Sequence, residues 1–380
     1  MKITMYLTVL LLVLLSDHGV LAQNASAAPA QGTAKKYVYK DGTGGPMDSI
    51  LLKDYEPDSS LVVPRSTIVK ARFPVIDVHT HPSQCQIKTP EDVAAWVRTM
   101  DEEGIQMSVV FAGTGEQFDR VAEMFLSKYP KRFQVFCSLD TANIDAPDYS
   151  QRAVAELVRC YRKGARGVGE LSDKGSGLQK GTYPREKRLH VNDPRIDPIW
   201  DKCAELSMPV NLHIADHPSC WKPLGPNQER TPTFQAFNQF GKDVPSYEEL
   251  LAMRDRMLER HPKTTFILCH FSNQGNDTAS LAKVLDRFPN VYVDLSARDY
   301  EIGRQPRTAL AFLNRYRDRI MFGTDMGRDK EMYEGWWRLL ETADEFLPGR
   351  VWWPYYGIEL PDTTLKSIYS ETAIKVLNFK

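Results

Sequence analysis

The stretch Val75-Ile76-Asp77-Val78-His79-Thr80-His81 decides how the rest of the chain is read. Its apolar, β-branched residues predict a strand. Side chains two apart share one face of a strand, so His79 and His81 aim two imidazoles at one point. Imidazole is the commonest protein ligand for a transition metal. A lone pair of this kind is weak evidence, because a histidine at a strand end is as readily a hydrogen-bonded core residue. The downstream sequence has to supply further ligands.

From Phe73 onward, short apolar runs alternate with amphipathic stretches. The runs predict strands at 75–81, 106–112, 133–140, 165–171, 209–215, 264–271, 291–297 and 320–326. Between and after them, helices are predicted at 91–103, 115–128, 149–163, 195–207, 247–260, 277–288, 306–316 and 330–342. Continuous apolar runs suit parallel strands buried on both faces. Eight strand–helix units in about 260 residues predict a (β/α)8 TIM barrel of the α/β class. A doubly wound open sheet is the alternative. Two connections, 172–194 and 216–246, are too long for turns, and both follow strand C-termini, where barrel folds build their sites. An irregular arm precedes the barrel. A C-terminal extension begins at Trp352-Trp353-Pro354-Tyr355-Tyr356.

Lys2, the apolar run Tyr6 to Leu15 and the small-residue site Val20-Leu21-Ala22 read as a signal peptide over 1–22, cleaved near Ala22. The run is too short to span a bilayer. The expected product is secreted or periplasmic, with no membrane span after cleavage. A flexible leader and N-terminal arm occupy 23–72, and the barrel domain 73–380. The 380 residues carry a formal net charge of −1 with both signs mixed. With no basic stripe, a nucleic-acid partner is disfavoured and a small molecule is the expected one. Of the six cysteines, Cys137 and Cys269 lie in apolar runs and read as small core residues. Cys85 and Cys220 fall in loops of one face and are the only pair considered for a disulfide.

The strand ends carry groups that are hard to bury: Asp77, His79 and His81 on the first, Glu170 on the fourth, His213 on the fifth, His270 on the sixth and Asp325 on the eighth. Desolvating an unpaired charge there would cost several kcal/mol. One or two divalent cations would satisfy them all. Singly, each has an ordinary structural reading: a core histidine, a helix cap or half of an ion pair. Their coincidence at strand C-termini in barrel order favours a metal centre. His217, Asn273, Arg298, Arg304 and Arg328 should project from the same face, and Trp221 can cover it. Arginine there suits a substrate carboxylate or phosphate.

This ordered set resembles the amidohydrolase superfamily, in its amidohydrolase-related branch, from roughly Phe73 to the C-terminus. The family pattern is HxH on strand one, a bridging Lys or Glu on strand four, His on strands five and six, and Asp on strand eight. The resemblance implies that His79, His81 and Asp325 hold one metal, with Glu170, His213 and His270 available for a second. Strand four departs from many binuclear relatives, which carry a carboxylated lysine there; Gly169-Glu170 is similar to TatD-type members. Mononuclear relatives, decarboxylases among them, use only part of the set, so one metal is the alternative to two. The donors suit zinc, with manganese, iron or cobalt as alternatives. The expected enzyme is a metal-dependent hydrolase acting through an activated water on a small carboxylated or cyclic lactone, amide or ester. Asp325 would serve as general base and then acid, and His270 would help polarise the attacked oxygen. Asp77 is assigned a supporting role. A non-oxidative decarboxylase is the alternative, a nuclease is disfavoured by the charge, and a non-catalytic metal-containing binding protein is the alternative of another class.

Overall fold

In the computed structural model of the chain, the described residues are 45–55, 58–179, 181, 183–230, 235–347, 351 and 353–378. The expected signal peptide lies outside them. Among the described residues, no helix is long and apolar enough to cross a membrane. The chain divides into two compact units, Met1–Leu61 and Val62–Lys380. The described part of the first holds the short 3-10 turns Pro46–Ser49 and Leu52–Asp54.

The second unit is the (β/α)8 barrel. Its strands are β1 Val75–Thr80, β2 Ile105–Phe111, β3 Phe133–Cys137, β4 Ala165–Asp173, β5 Val210–Ile214, β6 Phe266–Leu268, β7 Val291–Asp294 and β8 Ile320–Met321. All neighbours pair in parallel and in chain order. The ring closes where Val78 N–H donates to Phe322 O (3.0 Å), Asp325 N–H to His79 O (2.9 Å) and His81 N–H to Met326 O (3.3 Å). These bonds place Asp325 beside His79 of β1 and His81 just past its end.

Local chemistry marks the ends of several helices. Thr89 and Asp92 form a reciprocal capping box at the start of Pro90–Glu103, and Gly104, at φ 85°, ends that helix one residue before β2. Ser246 and Glu249 do the same for Tyr247–Arg260. The helices bury their apolar faces on the outside of the strands. Inside the barrel, Ile76, Val78, Val109, Phe111, Phe136, Ile267 and Met321 form a separate apolar layer, joined by Ala373 and Val376 of the last helix, Thr372–Val376, and by Leu377 at its C-cap. This layer fills the interior beneath the strand C-termini, so polar groups collect only above it.

Several strands stop earlier than the apolar runs predict: β3 at Cys137, β6 at Leu268, β7 at Asp294 and β8 at Met321. Past three of these ends the backbone turns left-handed within two to four residues: His270, Ala297 and Asp325 have φ of 56°, 51° and 71°, values outside the strand region. The predicted ligands on β6 and β8 stand in these turns, just past the strands. All six cysteines are free, Cys85 and Cys220 included, so the disulfide considered for that pair is not formed. The Cys85 thiol instead faces Met326 O at 2.6 Å and Gly327 O at 3.1 Å.

Candidate metal centre

Two donor groups meet above the apolar layer. In the first, His79 Nε2 lies 3.2 Å from His81 Nε2 and 3.4 Å from Asp325 Oδ1, and His81 Nε2 lies 3.2 Å from the same oxygen. In the second, Glu170 Oε1 lies 2.7 Å from His213 Nδ1, 3.1 Å from His270 Nε2 and 3.5 Å from Cys269 Sγ. Glu170 joins them, for its other oxygen is 3.4 Å from His81 Nε2. The structure thus brings together all six residues predicted as ligands.

The geometry fits a cation. Ligands at about 2.0–2.1 Å in a tetrahedral site are separated by about 3.3 Å. The first group's three donors stand 3.2–3.4 Å apart, three corners of such a figure. Tautomers agree with this. His270 Nδ1 faces the Ser296 carbonyl at 3.0 Å, which can only accept, so Nδ1 carries the proton and Nε2 is left as a lone pair. His79 Nδ1 is similarly held by the Asp294 carboxylate at 3.0 Å. Among the described residues, the ion partners of Glu170, Asp294 and Asp325 within 4 Å are histidines alone. Burial opposes protonation of His79, yet Asp294, Asp325 and Glu170 raise its proton affinity well above the ordinary value. The cluster is short of positive charge, which a divalent cation supplies.

Supporting residues hold these donors. Burial opposes ionisation of Asp325 and Glu170, but the surrounding imidazoles keep both carboxyls well below the usual range. Asp216 accepts from His213 Nε2 (3.0 Å) and pairs with Lys174 (3.1 Å); burial resists, but both partners bring its carboxyl down to about 2. Asp77 accepts from Thr324 Oγ1 (2.7 Å), Tyr333 Oη (2.9 Å) and His79 N–H (3.2 Å), tying β1 to the segment after β8. Burial outweighs these bonds and pushes its carboxyl up to about 6. Phe111 of β2 stands edge-on to His79, ring centroids 4.9 Å apart, and fixes the ring from below.

His270 opens a turn of four left-handed residues through Asn273, none of them glycine. Each costs roughly 1–2 kcal/mol. Buried hydrogen bonds offset the strain: Arg254 Nη1 donates to Ser272 Oγ (2.7 Å) and Gln274 Oε1 (2.8 Å), and Asn273 Nδ2 to Ile214 O (3.2 Å) and Ala215 O (3.1 Å).

A cavity of about 300 Å³ opens beside the centre, lined by Lys174, His217, Phe237, Arg298, Tyr300 and Val351 as well as His213, His270 and Asp325. Two larger hollows, of about 800 and 990 Å³, lie around the beginnings of the strands and hold none of the ligand residues. Of the predicted substrate contacts, Arg298 and His217 line the cavity and four do not. Asn273 is buried, its side chain engaged by β5 carbonyls and by Arg298. Arg304 pairs with Glu229 (2.8 Å) and stacks on Trp353. Arg328 lies 3.5 Å from Asp92. Trp221 donates its indole N–H to Pro245 O (2.9 Å). Sequence reasoning missed Asp294, Asp216, Cys269 and Lys174. Asp294 had a signal, since it ends the apolar run Val291-Tyr292-Val293 just as the predicted ligands end theirs.

The profile of the amidohydrolase family matches residues 76–379. The chain belongs to the amidohydrolase family. Its superfamily is one of enzymes that generally use divalent metals, which sets aside a non-catalytic barrel. No curated protein matches the sequence. Among solved structures, this amidohydrolase is similar to a putative amidohydrolase from Staphylococcus aureus (15% identity, 81% of this chain and 100% of that one, TM-score 0.53). An uncharacterised TIM-barrel protein from Bordetella bronchiseptica matches with 17% identity over 80% of this chain and 99% of the other, TM-score 0.52. The 2,6-dihydroxybenzoate decarboxylase from Rhizobium matches with 16% identity over 80% and 99%, TM-score 0.51. At these identities the likenesses establish the fold alone.

Proposed function

We propose that this amidohydrolase is an exported, metal-dependent hydrolase whose centre holds two ions, zinc by preference, and acts on a small carboxylated or cyclic lactone, amide or ester. The observation that carries the reading is Glu170, whose two oxygens face the two donor groups at 3.4 and 2.7 Å. The donors are imidazoles and carboxylates with a cavity beside them, a set suited to zinc, with manganese, iron or cobalt as alternatives. When bound, such ions supply an acidified water and a Lewis acid for the attacked oxygen.

The chain's residues account for the rest. The Asp325 side chain is about one quarter exposed, at the cavity wall, and ionised. It accepts a proton from the attacking water and returns it to the leaving group. His270, its outer nitrogen fixed by the Ser296 carbonyl, keeps one orientation throughout. Arg298 and Lys174 bring positive charge to the cavity wall, where a substrate carboxylate would dock. The volume, at the lower end for small-molecule sites, suits a compact substrate. Export rests on the N-terminal sequence.

The test is a panel of lactones, N-acyl amino acids, esters, phosphoesters and aromatic carboxylic acids with the metal-loaded protein. Hydrolysis of a lactone, amide or ester is expected, and Asp325→Asn should lower it by about 10²–10⁴-fold even when assayed with metal in excess, since Asp325 also stands among the donors of the first group. Carbon dioxide release from an aromatic acid, without hydrolysis elsewhere, would assign the decarboxylase instead. A carefully prepared sample that holds no divalent ion and gains no stability from zinc or manganese would sink the reading.

A further inference from the structure

Cys269 is a donor that the histidine and carboxylate set does not account for. Its side chain is fully buried, and its Sγ stands 3.5 Å from the Glu170 oxygen that also faces His213 and His270. The ligand atoms of Glu170, His213, Cys269 and His270 all lie within 4.8 Å of one another. We propose that Cys269 is itself a metal ligand, a thiolate that completes the second ion's site and makes that site selective for zinc over harder cations. This rests on the two-ion reading above.

Local backbone geometry explains why adjacent residues serve one site. Along a regular strand, neighbours 269 and 270 would point to opposite faces. Here β6 ends at Leu268, and Cys269 keeps an extended conformation (φ −69°, ψ 165°), its N–H held by Leu212 O of β5 at 3.0 Å. His270 then turns left-handed at φ 56°, which breaks the alternation and swings its ring to the same side as the thiol. Cys137, at the end of β3, shows the contrast: its thiol faces the Gly167 carbonyl at 3.6 Å, within the core.

The spacing of the thiol from the carboxylate matches the chemistry. With a zinc–sulfur bond of about 2.3 Å and a zinc–oxygen bond of about 2.0 Å, tetrahedral geometry separates sulfur from oxygen by about 3.5 Å. The observed Sγ to Oε1 distance is 3.5 Å. Coordination breaks the S–H bond, forms the sulfur–metal bond and releases the proton to buffer. A soft thiolate favours zinc and cobalt over manganese and magnesium, which a purely imidazole and carboxylate site discriminates less.

Cobalt(II) titration of the metal-free, full-length mature protein tests this, because thiolate–cobalt coordination gives a charge-transfer band in the near ultraviolet. The band should grow with the second equivalent, disappear in Cys269→Ser, and persist in Cys85→Ser and Cys220→Ser. Competition with a chelator should show the second zinc bound at least about tenfold more weakly by Cys269→Ser, with the first unchanged. Two bound equivalents of cobalt without the band, one equivalent only and no band, or a band that survives in Cys269→Ser overturns the inference and leaves a metal centre of histidines and carboxylates. If no cobalt binds at all, the metal centre falls and the inference with it.

Discussion

Replacing Asp294 with Asn should disable the first donor group without touching a ligand. Asp294 is fully buried and every polar neighbour donates to it. Oδ2 faces His79 Nδ1 (3.0 Å) and Asn211 Nδ2 (3.3 Å); Oδ1 accepts from His270 N–H (3.0 Å), Ser296 N–H (3.1 Å) and the Ser296 hydroxyl. An asparagine must turn its NH2 toward one of these sets. Facing Oδ1's three donors is the worse choice, so the NH2 would point at His79 and Asn211. His79 would then keep Nδ1 as an acceptor and carry its proton on Nε2, the atom 3.2 Å from His81 Nε2 and 3.4 Å from Asp325. The lone pair that would take the metal is gone. Loss of such a supporting carboxylate typically weakens metal binding 10–100-fold, or about 1.4–2.7 kcal/mol. The unmet donors cost roughly a further 1–3 kcal/mol in folding. Zinc affinity by chelator competition, and urea melts with and without zinc, separate the two effects. An Asp294→Asn protein that binds zinc within twofold of the wild type would refute the tautomer argument, whatever its stability.

Three further outcomes follow from the same geometry. Arg254→Met removes the guanidinium that clasps the left-handed turn at Ser272 and Gln274, so urea unfolding should show a loss of about 3 kcal/mol, hydrogen bonds to charged groups being worth roughly 1.5–3 each; a loss below about 1 kcal/mol would mean the turn does not depend on it. Gly169→Ala would place a Cβ 2.7 Å from Asn211 Cβ and 3.0 Å from Asn211 O, forcing β4 from β5, with a cost of about 1–3 kcal/mol and weaker binding of the second metal equivalent as Glu170 shifts. His217 is pushed down to about 3 by burial and by Arg230, Arg298, Arg304 and Lys222. It stays neutral in the fold while the unfolded chain takes up a proton near pH 6.5, so stability is lost as pH falls from 6.5 toward 3, by about 2 kcal/mol at pH 5 from this group. His217→Asn should flatten that share of the acid sensitivity in urea melts at pH 7.5 and 5; an unchanged pH dependence would remove His217 as its source.

The barrel was legible because most strands are largely apolar and several helices carry their own caps, as at Thr89 and Ser246, so the order of elements is written locally. The six convergent donors were legible for a related reason: a histidine or acid that ends an apolar run has to find a partner, and parallel strands put all such ends on one face. Asp294 met the same criterion and shows that the rule selects the outer partners of the convergent donors as well as the donors. Other features depended on contacts that no local pattern encodes. Asp216 and Lys174 come from two different insertions and meet only once β4 and β5 have paired. Cys269 is buried, as its apolar run implies, but the run gave no sign that its thiol faces Glu170. It points into the site because a run without glycine, His270-Phe271-Ser272-Asn273, turns left-handed, a conformation that local propensity disfavours. Arg254, far along the chain in a helix, holds that turn in place. The strain and the clasp occur together at the point where two neighbouring side chains must face one carboxylate oxygen. A relaxed strand would have sent the thiol or the imidazole to the opposite face, leaving the second donor group incomplete.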